Sequence, residues 1–124
     1  MTTFPAVLSY ILALVFALSG LVKFSGTEVA AAAPGHLNVA PSTYRLAGIL
    51  ELVGALGLLL AALGVVGTFL GGLAALCLAI LMGFAIWFHI GVGDGAVPEN
   101  QTDGWAPAAV LCALSVLAAL VIWF

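Results

Sequence analysis

The sequence predicts an all-α, polytopic membrane protein: a bundle of four transmembrane helices with antiparallel neighbours. Three observations carry this. Of 124 residues, 65% are hydrophobic and 6% charged, and the mean hydropathy is +1.36. Soluble domains average about 45–50% apolar and about 25% charged residues, and so few charges cannot cover a water-facing globule. Four apolar runs each reach the ~20 residues that cross a ~30 Å hydrocarbon core. None of them shows the period-2 alternation of a membrane barrel strand, which leaves helices. Two Lys/Arg in the whole chain also exclude a nucleic-acid-binding surface.

The first run covers about residues 4–24. No basic residue precedes it, it exceeds a signal-peptide core, and Lys23 and Glu28 separate it from the small residues Ala30–Ala33. It is therefore expected to persist as a span. A long loop follows at 25–44, and the second run covers about 46–66, with Gly64 and Gly67 framing a tight turn over 65–68. The third run, about 68–90, carries a small-residue ladder at Gly71, Ala75, Ala79 and Gly83. In lipid, such ladders let backbones approach closely; the contact can be internal or a self-association. A second long loop at 91–104 leads to the last run, about 105–124, and the whole of 1–124 reads as a single membrane domain.

Four spans put both termini on one side and both long loops on the other. Lys23, Glu28, Arg45, Glu51, Asp94, Glu99 and Asp103 then all lie at or within two turns of the loop side. Phe24, Tyr44, Trp87, Phe88 and Trp105 belong to the same end, and Phe4, Phe69, Trp123 and Phe124 to the other, as two interfacial belts would require. The Lys/Arg bias favours a cytoplasmic loop side by two residues to none, which leaves the orientation open.

Glu51 is the most informative residue. It lies about six residues, or ~9 Å, into the second run, with Ala47, Gly48, Gly54 and Ala55 as helical neighbours. These small residues put it on a face that another helix can approach. An intramembrane carboxyl costs about 2.5–3.5 kcal/mol at mid-depth, and it either pairs with something or lines a pathway. Lys23, at the end of the first run, can snorkel outward to headgroups or inward to Glu51. His89 closes the third run behind Trp87 and Phe88, and imidazole is the side chain that exchanges protons near neutral pH. Lys23, Glu51 and His89 are thus a candidate proton route, and with Trp87 a candidate pocket for a quinone or lipid headgroup. Read blandly, the same groups are helix–helix struts and interfacial anchors.

Cys77 and Cys112 differ in depth by ~9 Å at 1.5 Å per residue, too far for a disulfide, and they form no C-x-x-C pair; they read as core thiols. His36 sits beside Pro34 and Gly35 in a loop, so paired haem-ligating histidines are not expected. No dinucleotide, phosphate-loop or H-E-x-x-H motif occurs. Asp94, Glu99 and Asp103 read as solvated loop acids, and no metal site is expected.

Several stretches form a recognisable pattern. They are Ser19-Gly20-Leu21-Val22-Lys23-Phe24, the Gly48-Ile49-Leu50-Glu51-Leu52-Val53-Gly54-Ala55-Leu56-Gly57-Leu58-Leu59 segment, and Met82-Gly83 with His89 ahead of Gly91-Val92-Gly93-Asp94. In that order and spacing the chain resembles the DoxX-like family of small bacterial four-helix membrane proteins. The resemblance implies the bacterial inner (plasma) membrane and respiratory or sulfur/thiol redox chemistry. Founding members are subunits of a thiosulfate:quinone oxidoreductase, and relatives are linked to thiol stress complexes. It further implies that Lys23, Glu51 and His89 occupy the family's polar positions. The resulting expectation is an accessory subunit of a quinone-linked redox complex, not catalytic alone, with no cofactor of its own beyond a bound quinone. Its partners would be the bilayer, redox subunits, or a second copy through Gly71, Ala75, Ala79 and Gly83. The competing expectation is a lipid-binding or assembly protein that docks a larger complex.

Overall fold

The computed structural model describes residues 1–97 and 104–124; Glu99 and Asp103 lie outside the described residues. Among the described residues five helices follow in order: α1 (Thr3–Val22), α2 (Glu28–His36), α3 (Pro41–Ala62), α4 (Thr68–Gly91) and α5 (Ala106–Trp123). All but α2 are long and apolar enough to cross a membrane. Successive spans run in opposite directions, and the packed pairs are α1 with α3, α3 with α4, α4 with α5, and α5 with α1. The bundle is therefore a closed ring of antiparallel neighbours.

The third helix starts at Pro41, ahead of the expected 46. Proline suits a first-turn position, where its missing N–H has no helical partner anyway, and the polar turn that follows precedes the apolar run. The same helix stops at Ala62 because Gly64 adopts φ +78°. Its N–H donates to Ala61 O at 3.1 Å and that of Val65 to Leu60 O at 2.9 Å, the paired bonds of a Schellman ending. The same ending closes α2, with Asn38 at φ 58° and Val39 N–H donating to Pro34 O, and α4, with Gly93 at φ +84°. Within the first long loop, Thr27 starts α2 by accepting a hydrogen bond from Ala30 N–H at 3.3 Å.

The core lies along the bundle axis, where Leu8, Leu12, Phe16, Leu58, Leu78, Met82, Ala118 and Ile122 are buried. Outward positions such as Ile11, Leu14, Val53, Leu56, Ile80, Phe84, Val110 and Leu120 form an apolar surface suited to lipid. Phe69 and Trp123 stack at the terminal end with ring centroids 6.4 Å apart.

Three rungs of the small-residue ladder are spent inside the chain. Gly71, Ala75 and Ala79 are buried, and a Cβ on Gly71 would stand 2.6 Å from Ala61 Cβ. The three cannot serve a second copy, because α3 and α5 already cover that face. Gly83 differs: a Cβ there meets nothing within 4 Å, and the residue lines a shallow outer groove with Ile80, Phe84, Trp87 and Phe88. Gly83→Leu is accordingly expected to leave the bundle's stability unchanged or to raise it by up to ~1 kcal/mol, through helix propensity. Gly71→Leu is expected to lower it by about 1–3 kcal/mol through overpacking. Unfolding midpoints of the two purified variants in one detergent check the contrast.

Candidate functional site

The site begins with two glycines. A Cβ on Gly20 would fall 2.8 Å from Gly48 O, and one on Gly48 would fall 3.1 Å from both Gly20 O and Lys23 Cβ. The backbones of α1 and α3 therefore touch near the loop end. Helical side chains lean toward their own N-terminus, so in this antiparallel pair Lys23 leans into the membrane and Glu51 leans toward the loop side. The lysine stem runs back one turn to Ser19 Oγ, 3.3 Å away, and its ammonium donates to both Glu51 oxygens, at 2.9 and 3.2 Å. Nζ also stands 5.4 Å from the centre of the Tyr44 ring. Glu51 as a whole is 1% exposed. Starting the helix at Pro41 puts Glu51 ten residues in, about 15 Å along the axis.

His89 approaches from α4. The Schellman ending there puts His89 and Asp94 at the two positions that such endings usually fill with an apolar contact, and Asp94 N–H donates to His89 O at 2.9 Å. The side chains meet as well: Asp94 Oδ2 lies 2.5 Å from His89 Nδ1, and Oδ1 lies 2.6 Å from Nε2 of His36, the last residue of α2. Asp94 is therefore no solvated loop acid; its side chain is 6% exposed. Burial pushes its carboxyl pKa up, but the hydrogen bonds from His89 and His36, and the positive charge on those rings, together hold it below the ordinary carboxylate value. Loop closure fixes the segment: Trp105 N–H donates to Gly95 O at 3.1 Å and Ala106 N–H to Ala96 O at 2.9 Å.

A carboxyl with a lowered native pKa binds protons less readily in the native than in the unfolded chain, so stability rises with pH across that interval. The contribution is complete above the unfolded value, about pH 4, and is lost as pH falls through the lowered one. The wild type is expected to lose unfolding temperature over this acid interval and Asp94→Asn to lose less. Melting curves of both proteins between neutral pH and about pH 2 test this; parallel acid limbs would contradict it.

Lys23, Glu51 and His89 share one cavity of about 500 Å³, which Leu50, Leu81, Met82, Phe88 and Leu111 line with apolar surface. That volume lies within the ~300–1,000 Å³ of small-molecule sites, whose pattern is apolar walls with a few placed polar groups. Ala32, Ala33 and His36 of α2 also line it. Trp87 belongs elsewhere. Two positions from His89 on a helix is a rotation of about 200°, and this turns Trp87 to the outer groove, where it is 75% exposed. Both cysteines are free, but neither is the core thiol expected: Cys77 is exposed, and half-buried Cys112 donates from Sγ to Ala79 O at 3.4 Å. Among the described residues no cluster suited to a metal ion occurs.

Fold and site together define an integral membrane four-helix bundle with a polar-ended cavity near its loop end. The chain belongs to the DoxX-like family, which it matches over residues 7–119. No curated protein and no solved structure matches it.

Proposed function

We propose that the chain is a membrane accessory subunit of a quinone-linked redox complex, respiratory or sulfur/thiol in type, and that its cavity receives the quinone headgroup. The observation that carries this is a shared cavity, apolar along its walls, that Lys23, Glu51 and His89 reach from three different helices. Membership of the DoxX-like family supports the redox association. A bound quinone would supply two-electron, two-proton carrier chemistry, with electrons passing to or from a partner subunit. The chain's own part is to orient and to manage protons. The Lys23 ammonium, whose N–H groups are taken by Ser19 and Glu51, sets the charge of one wall, and His89 offers a ring nitrogen. The apolar walls limit water.

Native mass spectrometry of the protein, purified gently from its own membranes, tests this reading. A quinone or redox subunit that co-purifies with the wild type is expected, with Glu51→Gln abolishing turnover of the native complex. A lone oligomer carrying only phospholipid would overturn the reading in favour of a lipid-headgroup site.

A further inference from the structure

Asp94 and His36 contribute to the cavity a feature that the Lys23–Glu51 pair does not. Asp94 is an ionised carboxylate with no proton to give, so both ring nitrogens that meet it must donate: Nδ1–H of His89 to Oδ2 and Nε2–H of His36 to Oδ1. A neutral imidazole carries one N–H. Neutral His89 is therefore held with its proton on Nδ1, and its other nitrogen, Nε2, is a bare lone pair. That nitrogen makes no hydrogen bond to a described residue, and His89 is among the residues that line the cavity. Exposure of the side chains changes along the cluster: 37% for His36, 6% for Asp94 and 12% for His89. Both histidines line the cavity, and His36 is the more exposed of the two partners of the carboxylate. Among the described residues, the other titratable groups facing the cavity are Lys23 from α1 and Glu51 and Tyr44 from α3. Gly104, before α5, and the α5 residues Pro107, Ala108 and Leu111 complete this part of the lining and contribute none.

We infer that Asp94 is a positioning residue that holds His89 in the Nδ1–H tautomer, so that Nε2 accepts a proton from a hydroxyl bound in the cavity, with His36 clamping the carboxylate from its other side. The identity of that hydroxyl, the quinol form of the headgroup, rests on the function proposed above. In the transfer the ligand O–H bond breaks, its electron pair stays on oxygen, and the proton forms a new bond to Nε2. Asp94 remains ionised beside the resulting imidazolium, as in other carboxylate–histidine pairs. No electron moves in this step. The site accordingly favours a hydroxyl over a carbonyl while His89 is neutral, because a bare lone pair can accept a hydrogen bond but cannot donate one.

Two measurements on the whole protein test this. Nitrogen-15 NMR of histidine-labelled protein at about pH 8, above the ordinary imidazole range, reports the tautomer, with His89→Gln assigning the signal. The Nδ1–H form is expected in the wild type and in Asp94→Glu, and its loss is expected in Asp94→Asn. An Nε2–H form in the wild type would overturn the inference. Binding of a short-chain benzoquinol and of its benzoquinone at the same pH supplies the second readout. A preference for the quinol of about tenfold, the equivalent of one hydrogen bond, is expected in the wild type, reduced in Asp94→Asn and restored in Asp94→Glu. Equal binding of the two forms would overturn the acceptor role while leaving the quinone reading intact. If neither form binds but the Nδ1–H tautomer is present, the quinone reading fails and the positioning by Asp94 stands.

Discussion

Lys23→Met is expected to destabilise the bundle by about 3 kcal/mol, near the lower end of the 3–5 kcal/mol range for breaking a buried ion pair. The lower end applies because Lys23 keeps 16% of its side chain exposed. The cost arises from what remains, a Glu51 that is 1% exposed as a whole and has lost the ammonium that donated to both of its oxygens. Glu51→Met strands the cation instead, and is expected to cost less because the lysine can swing out to the interface. The double replacement removes both charges and should recover most of the loss, since apolar residues of similar volume commonly match or exceed a buried pair in stability. Reversible unfolding of the four proteins in mixed micelles closes a double-mutant cycle. Additive losses would show that the two side chains are not energetically coupled. A double variant as stable as the wild type, yet without quinone binding, would show that the charges serve the cavity and not the fold.

The parts of this architecture legible in the sequence are those set by burial in lipid. Apolar runs of span length mark α1, α3, α4 and α5, because nothing else tolerates so many consecutive hydrophobic residues. The Lys23–Glu51 pairing was legible as one of two options, and the small residues around each indicated a close helix contact. The start of α3 was less visible, because its first turn is Pro41-Ser42-Thr43 and hydropathy alone places the boundary at Leu46. Helix α2 was hidden for a related reason. Its alanine run with Pro34 resembles a loop, and only Thr27 as a cap and Asn38 as a stop reveal it. Trp87 is close to His89 in the chain, but helical rotation turns it to the outer groove.

Asp94 departs furthest from its expected setting. Acidic residues in a polar loop are usually solvated, and that general rule concealed a specific signal. In His89-Ile90-Gly91-Val92-Gly93-Asp94, a glycine after the helix end predicts a Schellman turn, and that turn brings the first and last residues of this hexapeptide together. A histidine and an aspartate at those two positions read as a hydrogen-bonded pair once the turn is recognised. The link to His36 had no comparable signal, since it joins residues 58 apart through the placement of α2.

Gly20→Ala is the second substitution expected to have a large effect, from the addition of a single methyl group. Its Cβ would stand 2.8 Å from Gly48 O and 2.8 Å from Leu52 Cγ. The carbonyl belongs to a helix backbone and cannot rotate away, so α1 and α3 must separate. Overpacking of this kind costs about 1–3 kcal/mol, against a helix-propensity gain of up to ~1 kcal/mol; the backbone clash is expected to win. Separation also lengthens the reach from Lys23 to Glu51, so the variant should lose coupling in the double-mutant cycle as well as stability. Gly35→Ala is the control, because a Cβ there meets nothing within 4 Å, and it should keep the coupling while leaving stability unchanged or raising it by up to ~1 kcal/mol. A Gly20→Ala protein with wild-type stability and full coupling would mean that the close approach of the two glycines is not what brings the ion pair together. The ordered outcome, with coupling lost in Gly20→Ala and kept in Gly35→Ala, would tie the cavity's charged wall to one backbone contact about a turn away.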